Sequence, residues 1–225
     1  MSAKSLTHSG LGDVAEALAA QPICRHRNDC ALRSIFCRHS VTLILNSRDH
    51  HQLKSSTMSY TIRPEAAADH AVIHALTEAA FRQAPHSSHT EQFIVDALRA
   101  RGELSVSLVA EMDGKVIGHV AVSPVTISDG SMRWFGLGPI SVLPAWQGQG
   151  IGAVVMRAAL EALRQQGAHG CVVLGEPAYY GRFGFRAESG LVLPGVPAEY
   201  FQALCLRPPM AQGEVSYSMA FEATA

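Results

Sequence analysis

"PAWQGQGIGAVV", residues 144–155, places Gly148, Gly150 and Gly152 within five positions and then runs directly into an apolar helical pattern. Glycine inside a helix costs about 1 kcal/mol per residue against alanine. A cluster of glycines at a helix start therefore marks a place where something approaches the backbone closely. The first turn of a helix has N–H groups without intrahelical partners, and the helix dipole adds positive charge there. A glycine-lined turn lets an anion lie on those donors, and pyrophosphate is the usual guest. The stretch is not a P-loop, because it lacks the Gly-Lys-Ser/Thr ending. Nor is it a dinucleotide fingerprint: the glycine spacing differs and the turn sits late in the chain.

The flanks give the fold class. Downstream, "IGAVVMRAALEALRQQG" (151–167) repeats Val155, Ala159 and Leu163 at four-residue steps, spaces Arg157 and Glu161 for pairing, and stops at Gly167. "CVVLG" (171–175) suits a central strand, "PAYYGRFGF" (177–185) a short helix and turn, and "GEVSYSMAF" (213–221) a final alternating strand. Upstream, "RWFGLGPISVLP" (133–144) reads as a strand, in which Gly136, Gly138 and Pro139 predict a bulge or a close backbone approach. "SVSLVAEMDGKVIGHVAVSPVTI" (105–127) is a hairpin turning at Asp113-Gly114. Before it come a strand at 59–65, closed by Pro64, and a helix at 66–83 carrying Val72, Ile73, Leu76, Ala79, Ala80 and Phe81 behind Asp69 in its first turn. A second helix, capped by Ser88 or Thr90, ends at Gly102. The order β-α-α-β-β-β-α-β-α-β describes a mixed three-layer α/β domain.

Composition narrows the function classes. The chain has 225 residues, 48% hydrophobic and 16% charged, with a formal net charge of -1. No basic excess is available for a nucleic-acid backbone. No apolar run approaches the roughly 18 residues of a membrane span, and no secretory pattern opens the chain, so the expectation is a cytoplasmic protein with neither membrane nor nucleic-acid partner. The five cysteines are Cys24, Cys30, Cys37, Cys171 and Cys205. They lack CxxC spacing, which predicts no metal site, and Cys171 and Cys205 read as small core residues. Residues 1–57 carry seven Lys/Arg against four Asp/Glu, leaving 11 against 15 for the rest, and show no sustained period. They read as a disordered extension or the product of a start codon placed too far upstream, with a targeting or regulatory arm as the alternative; the domain is expected at 58–225.

Gln147-Gly148-Gln149-Gly150-Ile151-Gly152, following "ISVLP" and opening a long helix, resembles the acetyl-CoA-binding motif of the GNAT superfamily of N-acetyltransferases. A second hallmark of that superfamily, Tyr followed by three residues and Gly-Phe, is matched by Tyr180 and Gly184-Phe185. The combination "GLGPISVLP…QGQGIG…CVVLGEPAYYGRFGF" is similar to its YhbS-like subgroup. The resemblance covers residues 59 to 221 and implies a three-layer α-β-α fold with a mixed, centrally splayed sheet. It implies acetyl-CoA as co-substrate, no metal, an amine acceptor on a small molecule or protein, and a homodimer as a common state. Residues Gln147, Gly148, Gln149, Gly150, Ile151, Gly152 and Ala153 would cradle the CoA pyrophosphate through main-chain N–H groups. Ile140, Ser141 and Val142 would pair with the pantetheine amides. Tyr180 would protonate the departing thiolate.

The resemblance names no base. Glu176 follows the apolar strand and also suits a cap for the next helix; Glu111 and His119 lie in the hairpin; a water chain is the remaining option. Arg82 and His86 are candidate acceptor contacts, while His70, His74 and His89 read as surface residues. A non-catalytic acyl-CoA-binding module, or transfer of another acyl group, fits the same glycine turn, because backbone recognition of a pyrophosphate does not read the acyl chain.

Overall fold

The computed structural model describes residues 41–42, 59–84, 87–187 and 190–224. Through them run β1 (Val41–Thr42), β2 (Ser59–Pro64), α1 (His70–Phe81), α2 (Glu91–Ala100), β3 (Val106–Met112), β4 (Lys115–Pro124) and β5 (Thr126–Ile127). They continue as β6 (Trp134–Val142), α3 (Ile151–Gln165), β7 (Gly170–Leu174), α4 (Pro177–Tyr180), β8 (Leu191–Val192), β9 (Phe201–Cys205) and β10 (Gly213–Ser216). The main sheet has the order β1-β2-β3-β4-β6-β7-β9, and a small sheet has β5-β10-β8. In the main sheet only β6 and β7 pair in parallel. No helix among the described residues is long and apolar enough to cross a membrane.

Strand alternation divides the core between two faces. Val106, Ala110, Val120, Val122, Ile140 and Val142 face α3, whose Val155, Ala159 and Leu163 recur at the predicted spacing and are fully buried. On the other face, Val109, Val116 and Ala121 pack under Ile73 and Leu76 of α1 and Val95 of α2. Each fully buried Val, Ile or Leu among them contributes about 1.5–3 kcal/mol, so apolar packing is the main force holding the three layers together. The hairpin turns where the sequence predicts, with Asp113 at φ +49° and Gly114 at φ +75°, the left-handed pair a two-residue turn requires.

The decisive irregularity is in β6. Val120 pairs with Ile140 and Val122 with Leu137, so Gly138 and Pro139 together oppose Ala121 alone. This is the bulge predicted from the glycines. Beyond it β6 also leaves β7: the parallel ladder consists of Trp134↔Gly170, Phe135↔Cys171 and Gly136↔Val172 and goes no further. A Cβ on Gly170 would overlap the Trp134 ring, and one on Gly136 would overlap the Tyr217 ring. The sheet is thus pinned at one end and open at the other.

Several expectations are corrected. The strand closing the main sheet is β9, not residues 213–221. "FQALC" contains no β-branched residue and gives no alternating signal, yet it pairs along β7 from Gly170↔Cys205 to Leu174↔Phe201. Only Gly213–Ser216 of the expected strand is extended, in the small sheet; Ser218 then caps a 3-10 turn at Met219–Glu222, its hydroxyl accepting from the Ala220 N–H at 3.0 Å. Glu161 pairs with Arg164 (3.6 Å) rather than Arg157, which lies 5.5 Å over the Phe183 ring. Ser88 and Thr90 bond each other (2.7 Å) and cap no helix. Cys171 is buried, but Cys205 is exposed. Apart from β1, residues 1–57 with Cys24, Cys30 and Cys37 lie outside the described residues.

A polar network closes the α1/α2 side. Glu65, just after β2, accepts from Arg99 of α2 at 2.8 and 2.9 Å and from the Ser107 hydroxyl at 2.6 Å. His119 Nε2 is 2.9 Å from Ser107 Oγ. The serine proton is committed to Glu65, so His119 donates from Nε2, and among the described residues its Nδ1 is an acceptor without a partner. His119 is fully buried, and burial pushes its imidazole down to about 4, against the opposing pull of Glu65.

Two predictions arise from this frame. Between about pH 6.5 and 4 the unfolded chain binds a proton at residue 119 that the folded chain refuses. Stability therefore falls as pH drops through that window, by about 3 kcal/mol at about 1.4 kcal/mol per pH unit, and His119→Gln flattens this part of a urea-midpoint profile. Gly170→Ala, which forces a methyl against the buried Trp134 ring, lowers stability by about 1–3 kcal/mol; adding Trp134→Leu relieves part of that loss if the overlap is its cause.

Candidate active site

The turn between β6 and α3 is built so that its own N–H groups stay free. Gly148 (φ +76°) and Gly150 (φ +83°) adopt left-handed backbone that other residues resist. Gln147 donates from Nε2 to the Val142 carbonyl at 3.0 Å, and Gln149 to the Ala145 carbonyl at 3.2 Å. Both side chains therefore brace the turn from behind. The first bond of α3 runs from the Val154 N–H to the Gly150 carbonyl, 3.2 Å, and Gly150 offers no side-chain cap. Among the described residues, no protein group accepts from the N–H of Gly148, Gln149, Gly150, Ile151, Gly152 or Ala153. With the helix dipole behind them, these six donors form a site for an anion.

The strand before the turn supplies an open edge. Ile140, Ser141 and Val142 pair with Val120, His119 and Gly118 of β4 on one side. On the other side β7 has already diverged, so no strand among the described residues pairs with them. The Ser141 hydroxyl bonds Thr77 of α1 at 3.2 Å, which leaves only main-chain groups for whatever enters the gap. An extended ligand with amides along its length fits such an edge as an added strand would.

Tyr180 ends α4 and is 1% exposed, with its ring edge-on to Tyr179 and Phe185 at centroid distances of 5.0 and 6.0 Å. Burial pushes its phenol well above the ordinary value, reinforced by Tyr179, Tyr217 and Cys171 nearby. It therefore stays protonated, as a proton donor must. The core reading and the donor reading of this residue are compatible: the ring packs, and no protein group among the described residues bonds the hydroxyl.

The other candidates separate clearly. Glu176 caps α4, accepting from the Ala178 N–H at 3.5 Å. Glu111 is held by Arg63 at 2.7 Å, and His119 is enclosed in the Glu65 network. Arg82 is exposed and pairs with Glu78 at 3.1 Å. His74 pairs with Asp96 at 2.6 Å and His70 approaches Glu65 at 3.6 Å; His89 is exposed and His86 lies outside the described residues. The structure adds Arg182, which sequence reasoning passed over, and Tyr179, the neighbour of Tyr180 whose spacing to Gly184-Phe185 does not match the motif. The Tyr179 hydroxyl lies 3.3 Å from where a Gly152 Cβ would sit, and the Arg182 guanidinium stacks 4.5 Å over the Tyr179 ring. The only sequence signal for Arg182 is its place inside the Tyr180–Phe185 motif.

Comparison with known proteins agrees with this geometry. Residues 70–185 match the model of the acetyltransferase (GNAT) family. A curated relative, the uncharacterized N-acetyltransferase YhbS of Escherichia coli strain K12, is 38% identical over 125 residues, 55% of this chain and 72% of that protein. A GNAT-family acetyltransferase from Brucella melitensis, solved in complex with acetyl-CoA, is 51% identical with a TM-score of 0.65, covering 72% of this chain and 97% of its own. The E. coli YhbS structure, solved with CoA, is 33% identical with a TM-score of 0.69, covering 78% and 98%. A turn of free N–H groups, a sheet that opens beside it and a family match spanning both leave one assignment: the chain belongs to the GNAT acetyltransferase family.

Proposed function

We propose that acetyl-CoA binds with its pyrophosphate on the 147–153 turn and its pantetheine along Ile140–Val142, and that an amine attacks the thioester directly. The observation that carries this reading is the run of six N–H groups at Gly148–Ala153 that have no partner among the described residues, beside a strand edge that no described strand pairs with. Relatives solved with acetyl-CoA and with CoA support it. Residues 58–225 form the catalytic unit in this reading; the family match lies within them. The acceptor is an amine of a small molecule or a protein.

Three tasks follow from the chemistry. An alkylamine is mostly protonated at neutral pH and must lose a proton before it attacks. Its lone pair then forms the N–C bond, and the tetrahedral oxyanion needs a donor, which a main-chain N–H near Val142 supplies. The C–S bond breaks, Tyr180 gives its proton to the thiolate, and the extra proton that the former amine nitrogen sheds as the amide forms restores the phenol. Metal is not needed for any of these steps. Tyr180 is also what separates a transferase from a binding module, because a module has no use for a proton donor there.

Gly150→Glu tests the cradle. A Cβ at Gly150 meets nothing within 4 Å, and the left-handed backbone there (φ +83°) costs a side chain about 1–2 kcal/mol, so the domain stays folded by thermal melting with a lowered midpoint, while a carboxylate fills the anion site; binding of CoA, measured by calorimetry, is lost. Tyr180→Phe tests the donor. Turnover falls tenfold or more with CoA affinity little changed; unaltered turnover removes Tyr180 as the acid.

A further inference from the structure

More positive charge gathers beside the 147–153 turn than the fold itself accounts for. Cations are favoured at the C-terminal end of a helix and disfavoured near its start. Yet two guanidiniums converge on the start of α3. Arg157 follows Ala153 by four positions, so it stands one turn below the last of the free N–H groups on the same helix face. Helical side chains lean toward the N-terminus, which carries Arg157 back toward the turn. Arg182 comes from the opposite side, on the 3-10 turn Gly181–Phe183 that follows α4.

Aromatic rings hold both groups in place. The Arg182 guanidinium lies 4.5 Å from the centroid of the Tyr179 ring and 5.6 Å from that of Phe183, two rings set 57° apart. Its Nε donates to the Tyr179 carbonyl at 3.2 Å, so stacking and a hydrogen bond together fix the guanidinium plane. Arg157 shares the Phe183 ring, 5.5 Å from its centroid. Both arginines are exposed, and neither has a carboxylate partner among the described residues. Tyr179 joins this cluster to the turn, because its hydroxyl lies 3.3 Å from where a Gly152 Cβ would sit. Burial raises the Tyr179 phenol, while Arg182 and then Arg157 pull it down, as cations close to that hydroxyl do.

The six N–H groups of the turn are occupied by a pyrophosphate, so two cations outside them call for a second anion. Acetyl-CoA carries one on its ribose, the 3′-phosphate, and a phosphomonoester bears about 1.5 to 2 negative charges at neutral pH. The pantetheine arm leaves the pyrophosphate toward Ile140–Val142, so the ribose arm leaves on the outer side. There α3 and the Gly181–Phe183 turn face each other across the rings of Tyr179 and Phe183. A guanidinium can hold a phosphate through two parallel N–H bonds while its flat face stays stacked on a ring.

We propose that Arg182 and Arg157 form a phosphomonoester subsite that takes the 3′-phosphate of acetyl-CoA, and that they are the specificity determinants separating CoA thioesters from 3′-dephospho-CoA thioesters. The glycine turn and the β6 edge cannot make that distinction, since both ligands present the same pyrophosphate and the same pantetheine to them. Arg182, with its plane fixed, is the main contact, and Arg157 adds charge. This assignment rests on the acetyl-CoA reading above.

The test is calorimetric titration of the full chain with CoA and with 3′-dephospho-CoA at neutral pH and constant ionic strength. Wild type is expected to bind CoA at least tenfold more tightly, the scale of a charge-assisted hydrogen bond. Arg182→Gln weakens CoA at least tenfold and leaves dephospho-CoA within twofold, so the preference collapses. Arg157→Gln weakens CoA about three- to tenfold with the same selectivity. Arg182→Lys recovers only part of the loss, because an ammonium brings the charge without the fork. Arg164→Gln, at the far end of α3, changes neither affinity. Thermal melting checks each variant, and if Arg182→Gln does not fold, Arg157→Gln takes its place. Equal wild-type affinity for the two ligands, a variant that weakens both alike, or the same loss in Arg164→Gln overturns the subsite and leaves the acetyl-CoA reading standing. Wild type that binds neither ligand overturns that reading, and this inference with it.

Discussion

The parallel contact between β6 and β7 is three residue pairs long, and the rest of the molecule is arranged around that shortness. Trp134 against Gly170 and Tyr217 against Gly136 allow the strands to approach at one end only because both glycines lack a Cβ. The Gly138-Pro139 bulge then bends β6 toward β4, where its pairing resumes at Ile140. A sheet so constructed has backbone groups in its middle that no neighbouring strand can satisfy. Buried backbone groups are normally paired, so the opening is an unfinished ladder that an extended amide chain would complete. α3 starts at the mouth of the same opening, which puts its free N–H groups next to that unfinished edge.

Recognition at the two sides of the opening uses different parts of the chain. On the α3 side the ligand-facing groups are main-chain N–H, and Gln147 and Gln149 turn their side chains backward onto the Val142 and Ala145 carbonyls. On the α2 side the backbone is consumed by helix bonds, and the unpartnered polar atoms among the described residues belong to side chains, those of Glu91, Gln92, Ser123 and Tyr217. The sheet between them is rigid: its faces are filled by α3 on one side and by α1 and α2 on the other. The opening and the glycine turn are thus held in place by packing on both faces of the sheet.

This division explains how much of the protein was legible in its sequence. Left-handed backbone at Gly148 and Gly150 restricts the residue type, so a main-chain site writes itself into the sequence as glycines at fixed intervals. The turn at Asp113-Gly114 was readable for the same reason, the bulge at Gly138-Pro139 because those residues weaken a regular strand, and α3 for its apolar period. β9 was not readable, because "FQALC" forms a strand through tertiary pairing with β7 and has no local preference that says so. The alternation at 213–221 misled in the opposite sense: Ser218 caps a 3-10 turn in the middle of an apparently strand-like run. Glu111 and His119 drew attention as ionisable residues in a hairpin, but only three-dimensional contacts reveal that Arg63 and Ser107 already engage them.

Glu91 shows why side-chain surroundings are harder to read than a main-chain turn. An acidic residue in the first turn of a helix has an ordinary explanation in the dipole, and Ser, His and Thr nearby look like a polar loop. Sequence does not display the conjunction that the structure shows: the side chain is fully buried, one oxygen is bonded to Ser87 and, among the described residues, the other has no partner. A left-handed turn demands particular residues because only they permit the backbone conformation. The surroundings of a side chain are set by tertiary packing, which leaves no such mark on the residue type, so the glycine turn is legible where Glu91 is not.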